Sequence, residues 1–126
     1  MAHKPNFSVT LADDFVHLNT WGSLHVEDVE KPVEAALKLA KDHKVDKLLD
    51  NIQEVDFSGA SIPVQAKGMG VLWRLRNFRK VAVVFRGKEP GFLFFSSLQV
   101  LHLNLGSKFQ GFDNEADAIA WLKSSN

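Results

Sequence analysis

A chain of 126 residues, 45% hydrophobic and 24% charged, has the composition of one folded globular domain and not that of a disordered, collagen-like or disulfide-scaffold chain. It has no cysteine, which excludes disulfides, thiolate catalysis and cysteine-based metal sites. Fifteen bases balance fifteen acids, but unevenly: residues 13–56 carry eleven acids and five bases, whereas residues 57–88 carry seven bases and no acid.

The first residues show no apolar run of the signal-peptide kind, so a cytoplasmic location is the expectation. Phe7, Val9 and Leu11 alternate with Ser8 and Thr10. After the turn-like Ala12-Asp13-Asp14, Val16, Leu18 and Thr20 share one face, which predicts a half-buried β-hairpin ending at Gly22. From Val26 the period becomes helical: Val26, Val29, Val33, Ala36, Leu37 and Ala40 form one stripe, with acids early and lysines late, as the helix dipole favours. Pro32 requires that the regular helix start near it.

Asp46–Asp50 predicts a short strand, with Asp50 and Asp56 bracketing the loop that follows as turn or cap residues. Lys80–Arg86 holds the continuous apolar run of a central strand, and Ser107–Phe112 a weaker one. Asp113 or Asn114 then caps a last helix through Ala118, Trp121 and Leu122. The whole predicts one α/β domain over residues 1–126. Its core is a single mixed β-sheet of about five strands, opening with an antiparallel hairpin and continuing with a parallel portion, flanked by about four helices.

Residues 62–78 and 91–105 are predicted helices with two apolar faces each. In the first, Ile62, Ala66, Met69 and Trp73 oppose Val64, Val71, Leu75 and Phe78. In the second, Phe94, Leu98, Leu101 and Leu105 oppose Phe92, Leu93, Val100 and Leu103. A small domain cannot bury both faces against one sheet, so the remaining face packs on a helix, a second subunit, an apolar ligand or a bilayer. Residues 90–107 carry no charge, yet their polar and helix-breaking residues argue against a membrane span; lying in an interface beside the neighbouring bases is easier.

Recognisable chemistry is sparse. His3, His17, His25, His43 and His102 lack zinc-ligand spacing, and no nucleophile-elbow or nucleotide-loop motif occurs. Of the aromatic residues Trp73, Phe78 and Phe85 in the basic stretch, Phe78 and Phe85 belong to core patterns, which argues against nucleic acid.

Taken in order, Trp21-Gly22, Val26-Glu27-Asp28, Leu48-Leu49-Asp50, Arg79-Lys80-Val81-Ala82-Val83-Val84, then Phe112, Glu115-Ala116 and Trp121-Leu122 make nearly the whole chain resemble the SpoIIAA-like family of small bacterial proteins, related in fold to STAS domains. The resemblance implies a mixed sheet flanked by helices and no enzymatic activity. It also implies a likeness to CRAL-TRIO lipid-carrier folds, and with it apolar-ligand or membrane binding. In STAS proteins that antagonise anti-sigma factors, a serine of an Asp-Ser-Ser-Gly motif is phosphorylated. The counterpart here is Val55-Asp56-Phe57-Ser58-Gly59, in which Phe57 breaks the serine pair and Ser58 is the nearest acceptor.

The leading expectation is therefore a non-enzymatic domain, without cofactor, metal or catalytic residues, that binds an apolar small molecule or lipid, or associates peripherally with the inner membrane face. Met69, Trp73, Phe92, Phe95, Val100 and Leu103 would make the apolar contact, and Arg74, Arg76 and Lys88 would meet an anionic headgroup. The alternative is a STAS-like protein-interaction and regulatory module acting as a homodimer through the same faces.

Overall fold

The computed structural model describes residues 6–23, 30–56, 74–86 and 108–124. Strands β1 (Phe7–Ala12) and β2 (Phe15–Ser23) form the expected hairpin, paired antiparallel from Phe7 opposite Thr20 to Ala12 opposite Phe15. Helix α1 (Glu30–His43) follows, then β3 (Lys47–Asp56), a single 3-10 turn (Arg74–Asn77), β4 (Lys80–Val84), β5 (Lys108–Phe112) and helix α2 (Glu115–Lys123). The sheet order is β1-β2-β3-β4-β5, and every pairing after the hairpin is parallel.

Alternation along the strands gives the sheet two apolar faces. Val16, Leu18, Leu48, Val81, Val83 and Phe109 pack with Val33, Ala36 and Ala40 of α1 and with Leu75 and Phe78 around the 3-10 turn. On the opposite face Phe15, Leu49, Ala82 and Val84 pack with Ala118 and Leu122 of α2. All five residues of β4 are buried, as the unbroken apolar run requires of a strand covered on both sides.

Local chemistry explains the element ends. Helix α1 accommodates Pro32 within its first turn, where no intrahelical donor is lost. It ends in a Schellman motif: Val45 N–H donates to Ala40 O (2.9 Å) and Lys44 N–H to Lys41 O (3.4 Å), with Lys44 in the left-handed region at φ 55°. Asn114 caps α2, its side-chain oxygen accepting from Asp117 N–H at 2.8 Å. Gly22 has φ 79°, so its backbone favours glycine; a Cβ there would lie 2.6 Å from Asn6 Nδ2, the mobile end of a side chain that would have to move aside.

Two expectations are corrected. The third strand does not stop at Asp50 but runs to Asp56, so both aspartates belong to β3 and neither is a turn residue. The longer strand keeps pairing with β2 as far as Ser23, across a register irregularity between Asn19 and Trp21. Residues 74–77 form a 3-10 turn and not the end of an α-helix, and the described residues contain two α-helices against about four expected. The remaining helical expectations, over 62–73 and 91–105, lie outside the described residues.

Candidate functional site

Strand β3 is the spine of the polar chemistry. On the α1 side, Asp50 lies between Leu18 of β2 and Val83 of β4 in the sheet register, with Leu48 two residues before it and Ile52 two after. It is buried, and its Oδ1 has no hydrogen-bond partner. Burial in this apolar setting pushes its carboxyl up to about 7.

On the α2 side, polar residues tie β2, β3 and the start of α2 together. Glu115 Oε2 accepts from Asn51 Nδ2 at 2.5 Å and from His17 Nε2 at 3.0 Å. Partial burial raises the Glu115 carboxyl, but the hydrogen bonds from Asn51 and His17 outweigh this and hold it below the usual range. Asn51 Oδ1 accepts from Gln53 N–H, and Gln53 Nε2 donates to Asp113 O, each at 2.9 Å. Asn19, beside Asn51 in the register, has a buried Oδ1 without a partner.

The network reaches the rim formed by the carboxyl ends of the parallel strands. There Arg86 Nη2 donates to Gln53 O at 2.6 Å and stands 4.0 Å from Glu54 Oε2. Both side chains are exposed, and β3 ends two residues later at Asp56, directly before Phe57-Ser58-Gly59. The rim therefore offers a paired acid and base beside the strand end that leads to Ser58.

At the opposite, amino end of the strands, Leu37, Ala40, Lys41, Lys44, Val45, Asn77 and Phe78 line an open groove of about 460 Å³. No group of three or more His, Asp or Glu capable of holding a metal occurs among the described residues.

Of the residues singled out from sequence, Arg74 and Arg76 are described and stand on the 3-10 turn; Arg74 Nη1 lies 3.5 Å from Glu34 Oε1 of α1. Ser58, Met69, Trp73, Lys88, Phe92, Phe95, Val100 and Leu103 lie outside the described residues. The His17–Asn51–Glu115 network escaped sequence reasoning because its members are far apart in the chain. Its visible signal was confined to His17, a polar residue between Val16 and Leu18 of the hairpin.

A five-stranded mixed sheet with one hairpin, a parallel run in chain order and, among the described residues, a helix on each face is the architecture of the SpoIIAA-like, STAS-related fold. Comparison with solved structures gives this fold directly. An uncharacterised protein of the DUF3478 family with a SpoIIAA-like fold, from Shewanella loihica PV-4, is 21% identical with a TM-score of 0.61, covering 97% of this chain and 98% of that one. An anti-sigma factor antagonist from Mycobacterium paratuberculosis is 15% identical with a TM-score of 0.61, covering 94% and 93%. The anti-sigma factor antagonist SpoIIAA in its unphosphorylated form is 16% identical with a TM-score of 0.57, covering 94% and 98%. No protein-family model and no curated protein matches the chain.

Proposed function

We propose that this chain is a non-enzymatic, STAS-like protein-interaction module with a regulatory role, and that the carboxyl-end rim of its sheet takes part in partner contact. The observation that supports this reading most is the exit of β3 at Asp56, flanked by the exposed Glu54–Arg86 pair, in a fold similar to that of anti-sigma factor antagonists. An exposed acid and base on a rigid strand end suit electrostatic selection of a partner. Because Phe57 replaces one serine of the Asp-Ser-Ser-Gly pattern, the reading does not depend on phosphorylation; Ser58 is the residue on which phosphorylation would be sought.

Isothermal titration of the purified chain against anti-sigma factors of the same genome tests it. A saturable complex, weakened at least tenfold by Arg86→Glu, is the expected outcome. Binding untouched by that change would place the contact elsewhere.

A second reading, capture of an amphiphilic anion or contact with an anionic membrane, is favoured by the open groove, whose apolar floor of Leu37, Val45 and Phe78 has Lys41 and Lys44 beside it. Among the described residues no helix is long and apolar enough to cross a membrane. Flotation with vesicles containing anionic lipid separates this reading from the first.

A further inference from the structure

A five-stranded open sheet has two edge strands, here β1 and β5. Edges present unpaired N–H and C=O groups, and natural proteins blunt them with charge, proline, bulges or a covering element. Strand β5 begins at Lys108 and contains Gly111. Strand β1, Phe-Ser-Val-Thr-Leu-Ala, has no charge, proline or glycine, and its six-residue register with β2 is unbroken.

The hydrogen-bond alternation of an antiparallel pair tells which of its groups are free. Trp21 N–H donates to Asn6 O at 3.0 Å, so Asn6 turns its backbone groups toward β2. Ser8, Thr10 and Ala12 then do the same, and the N–H and C=O of Phe7, Val9 and Leu11 point away along the open edge. The same three residues share the α1 side of the sheet: Phe7 and Val9 pack against the core, while Leu11 stays 40% exposed.

We propose that β1 is a dimerisation edge, at which two copies of this chain pair antiparallel about a two-fold axis through Val9 and join their sheets into one. Outward-facing groups meet only when odd residues oppose odd residues, and the register centred on Val9 uses the whole span. It sets Val9 against Val9, Phe7 against Leu11 of the second copy, and Ser8 against Thr10. Apolar residues then meet apolar ones on the α1 side, hydroxyls meet hydroxyls on the other, and the exposed Leu11 gains a cover. Such self-complementarity is what a two-fold interface requires, and a peptide of another sequence would have to reproduce it by chance.

Light scattering across a concentration series tests this with the wild-type chain, Val9→Pro and Leu11→Lys. Proline is tolerated where the N–H faces outward, so Val9→Pro removes edge pairing without removing a β1–β2 hydrogen bond. Leu11→Lys places a charge against the partner's Phe7 and, at an exposed position, leaves the monomer fold intact should the proline variant not fold. The wild type is expected at about 28 kDa, twice the 14.1 kDa chain, and the folded variants at the chain mass, with dimer dissociation constants raised at least tenfold. A wild type that stays at 14.1 kDa into the hundreds of micromolar overturns the proposal. So does a dimer that persists unweakened in folded Leu11→Lys, which would locate the interface elsewhere.

Discussion

A carboxyl group buried among Leu18, Leu48, Ile52 and Val83 without a partner for one of its oxygens makes folding depend on pH. Asp50 is held up to about 7 when folded against an ordinary 3.8, so the folded state keeps a proton that the unfolded chain releases. Stability from this group is fully present below 3.8 and is lost as pH rises to about 7, a span worth on the order of 4 kcal/mol. The lowered carboxyls Asp14 and Glu115 act in the other direction and at lower pH, losing their contribution as they are protonated. Urea titrations should find the wild type about 2 to 3 kcal/mol less stable at pH 8 than at pH 5 from Asp50, and Asp50→Asn should lose that difference. An unchanged pH slope in the variant would show that Asp50 is not the group responsible. Lys44 carries a second residue-scale cost, because it occupies the left-handed position of a Schellman motif that favours glycine. Lys44→Gly should raise stability by about 0.5 to 1 kcal/mol in the same titration.

Helix α2 is held at both ends by groups that reach across the sheet. At its start Glu115 takes hydrogen bonds from β2 and β3 through His17 and Asn51. At its end the fully buried Lys80 of β4 donates to Trp121 O at 2.9 Å, Ser124 O at 2.8 Å and Ser124 Oγ at 2.9 Å, with its ammonium 5.0 Å from the Trp121 ring centroid. A lysine at the carboxyl end of a helix satisfies carbonyls that have no intrahelical donor and complements the dipole. Lys80→Met keeps the apolar stem but removes three charge-assisted hydrogen bonds, leaving Trp121 O only its bonds from Ser124 N–H and Oγ, so a loss of about 2 to 4 kcal/mol is expected, with hydrogen exchange fastest in the last turn of α2. The same element shows what was legible in the chain. The cap at Asn114 and the stripe of Ala118 and Leu122 could be read from local pattern, because capping and amphipathicity are local. Lys80 reads in sequence as the polar start of an apolar strand, and only the docking of α2 explains why it is buried. The extent of β3 was hidden for a related reason: Asp50 looks like a turn signal, and only tertiary burial overrides that preference.

For the whole molecule, the hairpin, the parallel run and the two-sided burial of β4 followed from periodicity, and the comparisons establish the SpoIIAA-like fold those elements imply. The polar chemistry was far less legible, since His17, Asn51 and Glu115 meet only once three elements are assembled. The even charge balance hides an acidic stretch over 13–56, and the fold pairs part of it with the basic one: Glu34 with Arg74, Asp46 with Arg79, and Glu54 with Arg86. Surface pairs of this kind contribute little stability, so the exposed Glu54–Arg86 pair on the rim is not needed to hold the fold. The proposed protein-interaction module, working from the carboxyl-end rim, is tested most directly by titrating anti-sigma factors of the same genome into the wild-type chain and Arg86→Glu. A saturable complex that Arg86→Glu weakens at least tenfold is the predicted result. No complex with any of them, while anionic vesicles retain the chain, would contradict it.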